Sequence, residues 1–102
     1  MKSHVFRAEA AAEYAEAKRY YTDIRPELGQ RFEVEIGELI QTICQDPQRY
    51  RQHDPPLRRH FSRTFPYAVI YLEETDRVVI FAVMHMRRRP DYWKPRTNAA
   101  QP

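Results

Sequence analysis

The stretch "HMRRRPDYWKPR", residues 85 to 96, holds the densest set of side chains that could do chemistry. Within twelve positions it has one His, four Arg, one Lys, one Tyr and one Trp. Guanidinium groups pair with phosphates and aromatic rings stack on bases, so the set suits nucleic-acid binding. The same residues could also line a catalytic surface, anchor a protein partner, or form a polar sheet edge under an aromatic lid.

Positive charge is concentrated in the second half of the chain. Residues 1–50 carry seven Lys or Arg against nine Asp or Glu, a net of −2, whereas residues 51–102 carry ten against five, a net of +5. Nine of those ten are Arg, whose planar group favours bidentate contacts with phosphate or carboxylate. The second half is therefore predicted to contact an anionic partner.

The composition excludes several classes of protein. With only two Gly, the chain has no Gly-rich phosphate loop and no dinucleotide-binding fingerprint. The single cysteine, Cys44, can form neither an internal disulfide nor a thiolate metal site, which fits a reducing compartment. No apolar run reaches bilayer length, and the N-terminus lacks a signal-peptide pattern. We therefore expect a cytoplasmic protein without membrane contact, cofactor or metal.

Helical periodicity follows a short predicted strand, "SHVFRA", in the first half. The first helix is expected from Glu9, with Glu13 and Glu16 solvated, and Pro26 can begin a second helix that runs to about Asp46. The apolar stripe of the first helix is Ala10, Tyr14, Ala17, Tyr21 and Ile24; that of the second is Leu28, Phe32, Ile36, Leu39, Ile40 and Ile43, bordered by Cys44. Such a helical hairpin must pack its apolar side on another element.

Three strand candidates, "LRRHFSRTF", "PYAVIYLEE" and "DRVVIFAVMHM", follow a Pro-rich loop. The last is apolar on both faces. Strict alternation puts Val79, Phe81 and Val83 on one face and Val78, Ile80, Ala82 and Met84 on the other. The helical hairpin covers one face only, so the C-terminal tail, a second copy or another protein must cover the other.

Two long segments resemble the RelE/ParE family of toxins from type II toxin-antitoxin systems. "AEYAEAKRYYTDIRPELGQRFEVEIGELIQTICQDPQRY" is similar to that family's first helix, its "RP.LG.RF" bend and its second helix. "RRHFSRTFPYAVIYLEETDRVVIFAVMHMRRRPDYW" is similar to its "RR.L..RFPYAI.Y......V.V.AV.H..R.P..W" segment. The two segments together cover about residues 4 to 93.

The resemblance implies an α+β fold, a helical hairpin packed on a small, mainly antiparallel four-stranded sheet. Residues 1–96 would form this single domain and residues 97–102 a flexible tail. It also implies a plasmid-stabilisation toxin that arrests growth, is neutralised by a cognate antitoxin in a hetero-oligomer, and meets operator DNA only through that antitoxin. ParE-like members inhibit DNA gyrase by binding, whereas RelE-like members are mRNA endoribonucleases (mRNA interferases) that act on the ribosome. A third reading is a non-toxic protein-binding module derived from the fold.

The candidate site residues depend on which reading applies. Metal-free RNA cleavage needs a base, an acid and cations around the phosphate. His85, Arg63 and Tyr67 are the catalytic candidates if the chain is a ribonuclease; the partner-binding candidates are Arg59, Arg63, Arg87, Arg88, Tyr92 and Trp93.

Each candidate also has a structural interpretation. His85 could cap its strand or hydrogen-bond the following loop, Tyr67 could anchor the start of its strand, and Trp93 could be a lid packed on the sheet. The motifs "FPYAVIY" and "H.RR.P.YW" of this chain are more similar to those of ParE-like members. Its helices lack the extra Lys, and its end the terminal Tyr or His, that the ribonucleases usually carry. We therefore favour the ParE-like reading slightly.

Overall fold

Two helices pack on one face of a four-stranded sheet in a computed structural model that describes residues 1–52, 54–88 and 92–96. The chain order is β1 (Ser3–Phe6), α1 (Ala8–Ile24), α2 (Pro26–Gln45), β2 (Arg58–Phe61), β3 (Tyr67–Glu73) and β4 (Arg77–His85). The strands lie in the order β1-β4-β3-β2, with β1 parallel to β4 and the other pairs antiparallel. The predicted α+β class and helical hairpin are confirmed. The tail expected at residues 97–102 lies outside the described residues, as do residues 89–91.

The helical hairpin is held by its apolar stripes. Arg25 takes an extended conformation between the helices, and Pro26 occupies the first turn of α2, where a missing N–H costs nothing. Phe32, Ile36 and Ile43 of α2 are fully buried against the sheet. Ile24 was expected on the stripe of α1, but it is 58% exposed. It is the last residue of α1, beside the chain reversal at Arg25, and so lies outside the packed part of the stripe.

A β-bulge in β4 overturns the predicted alternation. Ile80 pairs with Tyr71 and Ala82 pairs with Ile70, so Phe81 between them has no partner on β3. Because the extra residue shifts the pattern by one, Val83 faces the helices, whereas Ala82 and Met84 face away from them. The strict alternation is therefore wrong from Ala82 onwards.

A second, smaller core covers the sheet face away from the helices. Leu57, from the loop before β2, and Trp93, near the C-terminus, pack there against side chains of β3 and β4. The β4 side chains on this face are at most 7% exposed, and Trp93 is fully buried. The prediction of an aromatic lid at Trp93 is confirmed, and the chain's own residues cover its apolar strand.

Candidate functional site

One end of the sheet gathers most of the predicted site residues. Tyr67 at the start of β3 pairs with His85 at the end of β4, and the Met86 N–H donates to the Pro66 carbonyl at 2.8 Å. Arg87 and Arg88 follow β4 directly, and the β2–β3 turn at the same end contains Arg63. We call this region the arginine end; its defining residues are Arg63, Tyr67, His85, Arg87 and Arg88.

His85 takes part in the turn that follows β4. Its Nδ1 accepts a hydrogen bond from the Arg87 N–H at 3.0 Å, and its carbonyl accepts one from the Arg88 N–H at 2.9 Å. The predicted hydrogen bond to the loop is thus confirmed. Because Nδ1 is an acceptor, the neutral ring carries its proton on Nε2. In this form the Nε2–H can donate a hydrogen bond to a ligand, but neither ring nitrogen is free to remove a proton.

Tyr67 is an aromatic anchor of the first core, the apolar cluster between the two helices and the sheet. Its ring meets the rings of Phe32 and His85 edge to face, with centroids 5.2 and 5.0 Å apart. Burial, together with the neighbouring Tyr21, raises the pKa of Tyr67 to about 12. A phenol with that pKa holds its proton firmly at neutral pH and is a weak general acid.

Two separate clefts flank the arginine end. The narrow cleft, about 240 Å³, is lined by Glu13, Glu16, Ala17, Tyr20, Tyr67, Val83, His85, Arg88 and Tyr92. The β2 cleft, about 630 Å³, is lined by Glu35, Glu38, Leu39, Thr42, Arg49, Tyr50, His60, Phe61, Ser62, Arg63 and Thr64. His85 and Tyr67 therefore share a cleft, whereas Arg63 lines the other one.

The position of Arg63 follows from a turn that α2 holds in place. The Glu35 carboxylate accepts hydrogen bonds from the Ser62 hydroxyl and, at 3.0 Å, from the Thr64 N–H. Burial alone would raise the pKa of Glu35, but these hydrogen bonds outweigh it and lower the pKa. The turn is thereby tied to α2, and Arg63 within it lies beside the β2 cleft.

Half-buried Arg59 and exposed Arg87 lie beside exposed apolar side chains. The Arg59 guanidinium lies 4.9 Å from the centre of the Phe61 ring. Phe61 and Met86 are 43% and 45% exposed, among the few large apolar side chains at the surface. No carboxylate within ion-pair distance accompanies Arg59, Arg63, Arg87 or Arg88 in the described part of the chain.

Glu13 was predicted to be solvated, and this prediction is wrong. Its carboxylate accepts hydrogen bonds from the Val83 N–H at 3.0 Å, the Tyr92 hydroxyl at 2.5 Å and the Arg96 guanidinium at 2.9 and 3.0 Å. A sequence signal was present, because Glu13 lies three residues after Ala10 and four before Ala17, both buried. Glu16 is exposed, as expected.

The Tyr92 ring contacts two guanidinium groups, that of Arg88 at 4.0 Å and that of Arg96 at 5.2 Å from its centre. Burial and the hydrogen bond to Glu13 raise the pKa of its hydroxyl. Of the two aromatic partner-binding candidates, Tyr92 is half-buried at the narrow cleft and can contact a partner. Trp93 is fully buried, so its ring supports the surface from below.

His60 and Arg58 also have structural contacts that the sequence did not indicate. The His60 ring stacks on Tyr50 with centroids 3.7 Å apart, and burial with the nearby Arg49 lowers the pKa of His60. Arg58 donates hydrogen bonds to the carbonyls of Gln48 and Tyr50. These contacts fasten the loop after α2 to β2.

Two other kinds of site are missing from the residues that the structure describes. No helix there combines the length and apolar character needed to cross a membrane. Within the same residues, no group of three or more His, Cys, Asp or Glu side chains could hold a metal ion. The arginine end and its clefts are the candidate site because most of the predicted site residues lie there.

Comparison with known proteins identifies the family. The family model described as "ParE toxin of type II toxin-antitoxin system, parDE" matches residues 5–90. A solved structure titled "Chromosomal ParDE TA system from P. aeruginosa" superposes with a TM-score of 0.74 at 16% identity, covering 85% of this chain and 98% of that one. At that identity the likeness shows the fold. No curated protein matches in sequence. The family match spans most of the chain, and the chain belongs to the ParE toxin family of type II toxin-antitoxin systems.

Proposed function

We propose that this chain is the toxin of a type II toxin-antitoxin pair and that it inhibits DNA gyrase by binding. The observation that carries the proposal is the division of the catalytic candidates between two clefts: His85 and Tyr67 line the narrow cleft and Arg63 the β2 cleft. Cleavage of RNA needs a base, an acid and a phosphate clamp around one phosphodiester. Inhibition by binding needs no such convergence.

Charge in the narrow cleft also supports a binding function. Two carboxylates, Glu13 and Glu16, line it together with His85 and Arg88. Arg96 neutralises Glu13, but no cation pairs with Glu16 among the described residues. Arg88 in the same cleft offsets Glu16, so the cleft has no excess of positive charge with which to hold the phosphate of an RNA backbone.

The proposed partner-binding surface combines charge with apolar anchors. Positive charge comes from Arg59, Arg63, Arg87 and Arg88, which have no ion pair among the described residues, and exposed apolar area comes from Phe61 and Met86. Arginine and aromatic side chains are the usual hot spots of protein interfaces. We propose that an acidic segment of the antitoxin binds this surface and so prevents the toxin from binding gyrase.

Supercoiling by purified gyrase tests the proposal. The purified toxin should reduce supercoiling in a dose-dependent manner, and His85→Asn, which keeps an acceptor beside the Arg87 N–H, should inhibit as well as the parent chain. If supercoiling is unchanged while translating ribosomes release mRNA cut at fixed codon positions, the chain is a ribonuclease. Loss of those cuts in His85→Asn would then assign His85 to catalysis.

Growth on induced expression separates a toxin from a non-toxic binding module. Expression should arrest growth, and co-expression of the small protein encoded in the adjacent reading frame should restore it. That protein is expected to have a DNA-binding module and a disordered tail, so that operator DNA is contacted through it. Growth that continues in the absence of the neighbour would reject a toxic activity.

A further inference from the structure

The outer edge of β4 is only half occupied by a neighbouring strand. β1 pairs with Arg77 to Ile80, and the last backbone contact is the Arg7 N–H to the Ile80 carbonyl at 3.0 Å. Beyond Ile80 no strand of the described chain faces this edge. The bulge at Phe81 lies where the pairing stops. The backbone groups that follow need other partners, because an unpaired edge is costly when buried.

Side chains, not a strand, complete this edge. The Glu13 carboxylate accepts from the Val83 N–H, and the Arg96 guanidinium donates to the Phe81 carbonyl, each at 3.0 Å. Glu13 and Arg96 also bind each other through two N–H···O contacts, and both side chains are only 15% exposed. The pair thus joins α1, the bulge of β4 and the C-terminal segment.

The C-terminal segment, residues 92–96, spans both sides of this sheet edge. Tyr92 and Arg96 reach Glu13 on the helix side, while Trp93 is buried in the second core on the opposite face. We call this segment the strap. The guanidinium of Arg88 lies on the Tyr92 ring, so the position of the strap also determines where Arg88 can lie.

We infer that Glu13 is a positioning residue that docks the strap on the β4 edge and thereby sets Tyr92 and Arg88 at the narrow cleft. Its carboxylate is the common acceptor of four charge-assisted hydrogen bonds, and the two from Arg96 are bidentate. Removing its charge leaves the largely buried Arg96 side chain without the carboxylate that it pairs with, a state that costs more than the lost contact alone. The effect on gyrase binding rests on the proposed function; the docking of the strap does not.

Trp93 makes the docking measurable, because it is the only tryptophan of the chain. Glu13→Gln should shift its fluorescence emission to the red and raise its quenching by acrylamide, since release of the strap exposes the indole. Glu16→Gln is the matched control: it makes the same chemical change three residues along α1, at a carboxylate without a hydrogen bond to the strap. It should leave Trp93 emission unchanged.

A second variant removes the same contact by changing its partner residue on the strap. Arg96→Gln should shift Trp93 emission as Glu13→Gln does, and the double variant should shift it no further, because the two side chains act as one unit. Far-UV circular dichroism should stay unchanged in all three. Equal emission in Glu13→Gln and Glu16→Gln, or additive shifts in the double variant, would overturn the inference.

The consequence for function is measured with purified gyrase. The dose of Glu13→Gln needed for half-inhibition should rise about tenfold, the usual scale for misplacing one interface anchor. If Trp93 is released but the dose is unchanged, the strap does not set the inhibitory surface, and that half of the inference fails. If the parent chain leaves supercoiling intact, the proposed function fails, while the fluorescence result still decides the docking.

Discussion

Substitution by alanine should have opposite effects on stability at the two glycines of α2. Gly29 is buried at the crossing of the helices, where an added Cβ would lie 2.9 Å from Thr22 Cβ and 3.0 Å from Thr22 Cα, with Thr22 Oγ1 closer still. Gly37 is exposed, and an added Cβ there meets no atom within 4 Å. Gly29→Ala should therefore destabilise the protein, and Gly37→Ala should stabilise it.

The magnitudes follow from three terms. Alanine gains about 1 kcal/mol over glycine from helix propensity at either site. At Gly29, overpacking costs about 1–3 kcal/mol, because the obstructing atoms include backbone and a β-branched side chain. Displacing Thr22 Oγ1 also breaks its 2.8 Å hydrogen bond to the Lys18 carbonyl, about 1 kcal/mol more. We expect a net loss of about 1–3 kcal/mol at Gly29 and a gain of about 0.5–1 kcal/mol at Gly37.

Urea denaturation followed by circular dichroism measures both free energies of unfolding, and thermal unfolding should move by about 4–8 °C per kcal/mol. Thr22→Ala should partly rescue Gly29→Ala, because it removes Oγ1, the nearest atom, but leaves the Cβ and Cα of residue 22 in place. If Gly29→Ala is as stable as Gly37→Ala, then the close approach of α1 and α2 does not limit this position. Full rescue by Thr22→Ala would contradict the role given to the backbone.

Three further predictions test the core, the His60 stack and the basic surface. Ile80→Asp should abolish cooperative unfolding in circular dichroism, because it buries an unpaired carboxylate in the first core; a cooperative transition would contradict this. The lowered pKa of His60 means that the folded state binds fewer protons than the unfolded one. The contribution of neutral His60 to stability should therefore be fully present above the ordinary pKa of histidine. It should be lost as the pH falls from there through the pKa of His60 in the folded state. His60→Phe, which keeps the stack on Tyr50, should flatten the unfolding free energy between about pH 5 and 7.5; an unchanged slope would reject His60 as the cause. Arg59→Glu and Arg87→Glu should each weaken the affinity for the antitoxin about tenfold in titration calorimetry and leave the circular dichroism spectrum unaltered. Unaltered affinity would show that the antitoxin does not bind this surface.

The helices and strands were predictable because apolar periodicity is a local signal. Pro26 marked the start of α2 within its first turn, and the apolar runs located every strand. The bulge at Phe81 was not predictable for the same reason. In a strand that is apolar on both faces, an extra apolar residue leaves the pattern unchanged, so the alternation cannot reveal which face each side chain takes after it.

The site was harder to predict because its contacts join distant parts of the chain. Glu13 and Arg96 are 83 residues apart, and nothing near either residue indicates the other. Arg63 could be placed at the correct end of the sheet, since antiparallel pairing dictates that much. Which cleft Arg63 lines depends on Glu35 of α2, which accepts hydrogen bonds from the turn that contains Arg63. That tertiary contact has no local signal in the sequence. The grouping of candidates was therefore foreseeable, but their division between clefts was not.

The second core changes where a partner can bind. Strand β4 is apolar on both faces, which left open the possibility that a partner covers the face away from the helices. Leu57 and Trp93 already cover that face, so the side chains of β4 offer a partner little exposed area. The proposed binding surface lies instead at the arginine end and the neighbouring Arg59, where guanidinium groups without an ion pair among the described residues accompany the exposed Phe61 and Met86. Because the Glu13 and Arg96 pair docks the strap, the same contact keeps the second core closed and places Tyr92 and Arg88 at that surface. The contact that closes the second core is thus the same contact that forms the proposed binding surface.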